Sequence, residues 1–202
     1  MGSSDAEEAL QEVHSQIRRC RQCPLGRART KAVPGEGAFD APVMFVGEAP
    51  GREEDQQGRP FVGPAGRLLT NLLKTIDLDR RNVFITNVVK CRPPENRDPL
   101  PEEIATCNEY LLAQIALITP KVLCTLGRFA GQTLIDKSLS ISRQHGKARR
   151  ISGILYVPLY HPAAALHQAS LIDSLEADMR QLRQILAREL GASPAKAPTD
   201  DA

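Results

Sequence analysis

Four short apolar runs punctuate the chain, at residues 43–47, 83–88, 122–126 and 154–159. Each is short and rich in Val, Ile, Leu and Phe, which is how a strand buried on both faces reads. Between and around them, apolar residues return at helical spacing, and the pattern predicts helices over roughly 6–19, 64–76, 101–118, 128–137 and 171–190. Pro64 and Pro101 stand near helix starts, where proline is tolerated, and Pro120 helps to end the third helix. Strands alternating with helices predict an α/β fold with a mostly parallel sheet covered on both faces. No repeat and no second domain is visible. One domain is expected over 1–190, followed at 191–202 by a Gly/Ala/Pro/Ser/Asp-rich tail without periodicity, expected to be disordered.

Composition narrows the class. The 202 residues are 42% hydrophobic and 25% charged, which is ordinary for a globular domain. No apolar run is long enough to cross a bilayer, and the start MGSSDAEEAL is neither basic nor apolar like a signal segment. A soluble, cytoplasmic, monomeric protein with no membrane partner is expected. The net charge of +2 says little, but its distribution says more. Residues 18–31 hold six Lys or Arg and no acid; residues 137–150 hold five, with His145 and again no acid. Such patches suit a phosphate-contacting surface or two solvated basic faces.

Ligands of an open parallel sheet bind beyond the carboxyl ends of its strands. The loops there carry unusual chemistry. The first strand runs into Gly47-Glu48-Ala49-Pro50-Gly51, a tight turn that exposes backbone N–H groups to a ligand. A second Gly/Pro-rich loop, Gly58 to Gly66, presents one aromatic, Phe61. The second strand closes through Thr86-Asn87-Val88-Val89 into Lys90-Cys91-Arg92-Pro93, and the fourth leads to Tyr160-His161-Pro162-Ala163.

Of the five cysteines, Cys20 and Cys23 form a CxxC turn followed by Pro24, and Cys91 and Cys107 lie in a loop and a predicted helix. An odd count argues against a disulfide framework. The CxxC spacing lets two thiolates share one metal or cluster. The split second pair suits a bulky cluster, although zinc stays open on chemistry alone. Cys124 lies in a predicted core strand and reads as a small buried hydrophobe.

GEAPG, GRPFVGPAG, ITNVVKCRPP, the four spaced cysteines and YHPAA occur here in one order. In that order they resemble the family 4 uracil-DNA glycosylases of bacteria and archaea, from about Cys20 to Met179. The resemblance implies a three-layer α/β/α sandwich around a four-stranded parallel sheet, and a [4Fe–4S] cluster held by Cys20, Cys23, Cys91 and Cys107. It implies that uracil-containing DNA is the partner and that the N-glycosidic bond of a flipped uracil is hydrolysed, leaving an abasic site for base excision repair. Phe61 would stack on the base, Asn87 would read its polar edge, and His161 would reach the pyrimidine O2. Gly47 and Ala49 would border the base, and Glu48 and Asp55 would lie near the sugar and the attacking water.

These roles make physical sense. A base must leave the stack before an enzyme can act on it. Stacking cannot separate uracil from cytosine, whereas an amide can accept from N3–H and donate to O4. Relatives outside this family carry an Asp of a GxDP turn where this chain has Ala49. Glu48 is therefore the first candidate to orient water and Asp55 the second. Leu166 is a candidate wedge for the gap left by the base, and Arg143, Lys147 and Arg149 are candidate phosphate contacts. No His-bearing insertion follows Cys91 and no Schiff-base lysine is identified, so turnover without strand cleavage is expected. Three other readings remain: a binding module without catalysis, a small electron-transfer protein, and a zinc-bound nucleic-acid module.

Overall fold

In the computed structural model, residues 3–191 are described. Helix α1 (Ser3–Arg19) leads through the CxxC turn to the single-turn helix α2 (Leu25–Ala28). There follow β1 (Glu36–Gly37), β2 (Val43–Gly47), α3 (Arg52–Gln57), α4 (Pro64–Thr75), β3 (Phe84–Asn87) and α5 (Pro101–Ile118). The second half comprises β4 (Val122–Leu126), α6 (Arg128–Leu134), α7 (Ile141–Gln144), β5 (Arg149–Ile151), β6 (Ile154–Leu159), α8 (Pro162–His167) and α9 (Ser170–Leu190).

The strands form one sheet in the order β1-β3-β2-β4-β6-β5. The inner four are mutually parallel, and they are the four apolar runs of the sequence. The expectation of a four-stranded sheet is corrected to six, because β1 and β5 add an antiparallel strand at each edge. Two- and three-residue strands with exposed polar positions leave no periodic signal to read. Helices α2, α3, α7 and α8 also went unpredicted. Each has at most six residues, too few to show a helical repeat.

Alternation along the inner strands sends successive side chains to opposite faces. Val43, Phe45, Ile85, Cys124 and Val157 pack with leucines of α4 and α9. Met44, Val46, Phe84, Leu123 and Tyr156 pack on the other face with Leu10 of α1 and Leu111, Ile115 and Ile118 of α5. Cys124 is fully buried, in agreement with its reading as a core residue. Helix α5 starts at Pro101 and ends in left-handed Thr119 just before Pro120.

Register then positions the chemistry. Gly47 pairs with Asn87 across β2 and β3, so both stand at the carboxyl edge of the sheet. The turns beyond stay joined: Val88 N–H donates to Gly47 O at 2.9 Å, and Val89 N–H to Glu48 O at 3.1 Å. Among the described residues, no helix is long and apolar enough to cross a membrane. Of the expected tail, Gly191 follows α9 in a left-handed conformation, and 192–202 lie outside the described residues.

Candidate active site

A cavity of about 280 Å³ opens at the carboxyl edge of the sheet, close to the lower end of small-molecule pockets, about 300 Å³. Its walls come from four chain segments. Glu48, Ala49, Pro50, Gly51 and Glu54 follow β2; Phe61 and Ala65 belong to the second glycine-rich loop and α4. Asn87, Pro93, Asn96 and Arg97 lie at and beyond the end of β3, and His161 and Ala163 follow β6. Glu48, Ala49, Phe61, Asn87 and His161 are thus brought together as the sequence led one to expect.

Gly47 lies beneath them. A Cβ there would stand 2.4 Å from Asn87 Oδ1 and 2.5 Å from Phe61 Cζ, so only glycine lets the amide and the ring approach each other. Asn87 is 1% exposed, and its Oδ1 has no hydrogen-bond partner. Leaving a buried acceptor unpaired costs about 1–3 kcal/mol. Its backbone is fixed from behind, because the buried Lys90 ammonium donates to Asn87 O, Thr86 Oγ1 and Gln114 Oε1, each at 2.7 Å.

Phe61 has φ +51°, a left-handed backbone unusual for a bulky residue. Such strain costs of order 1–3 kcal/mol and must be held by its surroundings. Arg80 donates to Phe61 O at 2.8 Å and to Pro60 O at 2.7 Å. The Phe61 and His161 rings stack with centroids 5.6 Å apart at 29°.

His161 caps α8, its Nδ1 accepting from Ala163 N–H at 3.1 Å. That leaves Nε2 to carry the ring proton. Desolvation by the surrounding protein pushes its pKa down to about 4, with Glu54 opposing, so the ring is neutral at physiological pH. Burial pushes Glu48 up to about 7; the negative charge of Asp98 adds to the rise and Arg128 opposes it.

Two carboxylates depart from expectation. Asp55 lies outside the pocket lining, its oxygens accepting from Thr30 N–H at 2.9 and 3.1 Å and from Lys31 N–H at 3.4 Å. The physical reason is helical direction: α3 turns Asp55 inward against the 30–31 segment. Its neighbour Glu54 lines the pocket instead, accepting from Val62 and Gly63 N–H at 2.8 Å and from Gly51 N–H at 3.1 Å. The signal for Glu54 was present in sequence, as a Glu three residues after the glycine that caps α3.

Leu166 projects from α8 beyond the pocket and is 48% exposed. Arg143, Lys147 and Arg149 are exposed on the α7–β5 segment, away from the pocket walls. That segment is anchored beside the fourth strand-end loop. Gly146 N–H donates to Pro158 O at 2.7 Å, and His145, paired with Asp178 at 2.9 Å, packs 4.6 Å from the Tyr160 ring.

Cys20, Cys23, Cys91 and Cys107 line one cavity on the α1–α5 side, with Ile17, Gly26, Lys90, Thr106 and Tyr110. Donors face it: the Arg29 guanidinium Nη1 donates to Cys91 Sγ at 2.9 Å, and the Lys90 backbone N–H to Cys107 Sγ at 3.3 Å. Burial pushes the Cys107 thiol up to about 11, with Lys90 opposing. Among the described residues, no three His, Cys, Asp or Glu side chains are grouped as for a single metal ion.

Comparison with known proteins follows the same lines. A family model described as the uracil DNA glycosylase superfamily matches residues 34–187. The type-4 uracil-DNA glycosylase of Sulfurisphaera tokodaii is 46% identical over 187 residues, covering 88% of this chain and 85% of that protein. That of Archaeoglobus fulgidus is 43% identical over 190 residues, covering 90% and 96%. That of Thermotoga maritima is 46% identical over 166 residues, covering 81% and 86%.

Proposed function

The chain belongs to the uracil DNA glycosylase superfamily, among its type-4 members, and on that premise we propose that it excises uracil from DNA by hydrolysing the N-glycosidic bond. The observation that carries this reading is the unpaired Asn87 Oδ1. A buried acceptor without a donor is suited to a ligand that brings one, and uracil N3–H is such a donor. The amide NH₂ then donates to O4. Cytosine, with an unprotonated N3 and an amino group at C4, leaves both halves of the amide opposed.

Phe61 stacks on the flipped base, a contact worth about 1–3 kcal/mol. Neutral His161 donates from Nε2 to O2 as negative charge grows on the departing pyrimidine, without needing to give up its proton. Glu48, with a pKa near 7, is poised to take a proton from water on the sugar side and to offset the positive charge developing there. Asp55 has its carboxylate engaged elsewhere, so Glu48 carries the water-orienting role alone. Glu54 keeps the two glycine-rich loops in register around the base. Leu166 fills the vacated stack, and Arg143, Lys147 and Arg149 meet phosphates.

The four cysteines fit a [4Fe–4S] cluster. Four thiols around a shared cavity with Arg29 and Lys90 N–H groups directed at two sulfurs suit a polynuclear anionic group. A lone tetrahedral zinc would draw the four sulfurs to about 2.3 Å from one point. When bound, the cluster supplies a cross-link rather than a reactive group. Through it, Cys20 and Cys23 would tie the N-terminal segment to Cys91 beyond β3 and Cys107 on α5, within one domain over 1–190.

The test is base release from a uracil-containing oligonucleotide, with thymine and cytosine controls, by the intact protein and by Asn87→Ala. Release from uracil alone, strongly reduced in the variant, is expected. Tight binding without release would reassign the protein as a binding module.

A further inference from the structure

We infer that Arg80 is a positioning residue for the base: it holds Phe61 in the left-handed conformation that puts the ring into the pocket. For its ligand the inference rests on the glycosylase reading; for its geometry it does not. Phe61 has no glycine-like freedom to adopt φ +51° unaided. Left to itself the loop would relax toward the extended region and carry the ring away from Asn87. The restraint comes from outside the pocket. The guanidinium of Arg80 spans two successive carbonyls, Pro60 O at 2.7 Å and Phe61 O at 2.8 Å. It is itself oriented by Glu36 Oε1 at 3.0 Å, and the other Glu36 oxygen takes Arg59 at 2.7 Å. Arg80 is largely shielded, with 17% of its side chain exposed, which strengthens these charge-assisted bonds.

A planar fork of donors can meet both carbonyls and the carboxylate at once, whereas a lysine ammonium cannot reproduce that geometry. Arg80 does not line the pocket that holds Phe61 and Asn87, so any effect on the base passes through Phe61. Glu36 belongs to the edge strand β1, and the clamp therefore links the sheet margin to the base-stacking loop.

The experiment compares Arg80→Lys and Arg80→Met in the wild-type and Phe61→Gly backgrounds. It reads kcat/KM on uracil-DNA, inhibition by free uracil, melting temperature, and amide exchange at Val62 and Gly63. In the wild-type background, kcat/KM should fall, and the free-uracil inhibition constant rise, by about 5- to 150-fold, the range set by loss of base stacking. Amide exchange at Val62 and Gly63 should quicken. In the Phe61→Gly background, where glycine tolerates the conformation and no ring remains to be aimed, Arg80→Met should change kcat/KM by less than about 2-fold. A melting-temperature shift with unchanged uracil inhibition overturns the inference, as does an equal loss in both backgrounds. If the Arg80 variants fail to fold, Glu36→Gln loosens the same clamp from behind and must show the same pattern. If the wild-type protein releases no uracil, the glycosylase reading has failed, and the exchange data still decide whether Arg80 holds the loop.

Discussion

Gly47 and Asn87 occupy one space: a methyl group on the glycine would lie 2.4 Å from the amide oxygen of the asparagine. The two residues are register partners on adjacent parallel strands, so neither can withdraw without breaking the sheet. Gly47 is not in the left-handed region, so its requirement is room rather than backbone freedom. Gly47→Ala is therefore expected to displace Asn87 and Phe61 and lower kcat/KM at least about 100-fold, a cost of about 2.7 kcal/mol. Steady-state assays with a parallel thermal melt check it; a fully active alanine variant would show that the amide and ring have room to spare.

Asn87→Asp keeps the shape and exchanges the NH₂ donor for a second oxygen. The new side chain repels uracil O4 and can accept from the cytosine amino group. The ratio of uracil to cytosine release should fall by at least about tenfold. Competition assays on matched oligonucleotides measure it.

Glu48 links activity to stability through pH. Its folded pKa, about 7, lies above its ordinary value of 4.5, so the folded state binds this proton more tightly than the unfolded state does. The stability it contributes is fully present below about pH 4.5 and is lost as pH rises through about 7. Glu48→Gln should match the wild-type melt in acid and exceed it at pH 8, by up to about 3 kcal/mol. Activity should move the other way. Wild-type kcat/KM should rise with ionisation near pH 7, and the glutamine variant should lose that limb. Melts and pH–rate profiles of both proteins measure the opposition; parallel changes would remove Glu48 from the water-orienting role.

His161 has the reverse sign. Its pKa is lowered from 6.5 to about 4, so the unfolded chain takes the proton first. The stability present above about pH 6.5 is lost as pH falls toward 4. His161→Asn should flatten acid destabilisation over that window while lowering kcat/KM by about 100-fold or more.

The cysteine cavity makes a spectroscopic prediction. Purified protein should absorb broadly near 400 nm, in the thiolate-to-iron region, and contain iron and sulfide. Cys23→Ala should lose that absorption and melt several degrees lower. A variant that keeps wild-type melting would remove the structural role of the cluster.

Legibility in the sequence followed the length of each signal. The inner strands and α5 were readable because continuous apolar runs and proline-marked starts extend over a whole element. The edge strands and α3 were not, since two to six residues cannot display a period. Phe61, Asn87 and His161 were readable because the motifs that carry them occur in the order of a known family; position at a strand end or between glycines left each of them open between a site role and a structural one. The capping position of Glu54 could be read from its spacing to Gly51, but which of Glu54 and Asp55 faces the pocket could not. Adjacent residues on a helix point about 100° apart, and which one faces the pocket depends on how α3 docks. Arg80 was hidden for another reason: the groups through which it holds the Phe61 loop are backbone carbonyls, which carry no residue identity.

The edge strand β5 carries Arg149 and Arg150, so part of the basic surface considered for phosphate is also the margin of the sheet. An open margin is a template on which another chain can add a strand, and natural proteins blunt it with short length and charge. These arginines thus blunt the margin of the sheet, and Arg149 is at the same time one of the contacts proposed for the DNA backbone. Neutralising them to weaken DNA binding would uncover a self-pairing edge, and an apparent loss of affinity in such a variant would include protein lost to aggregation.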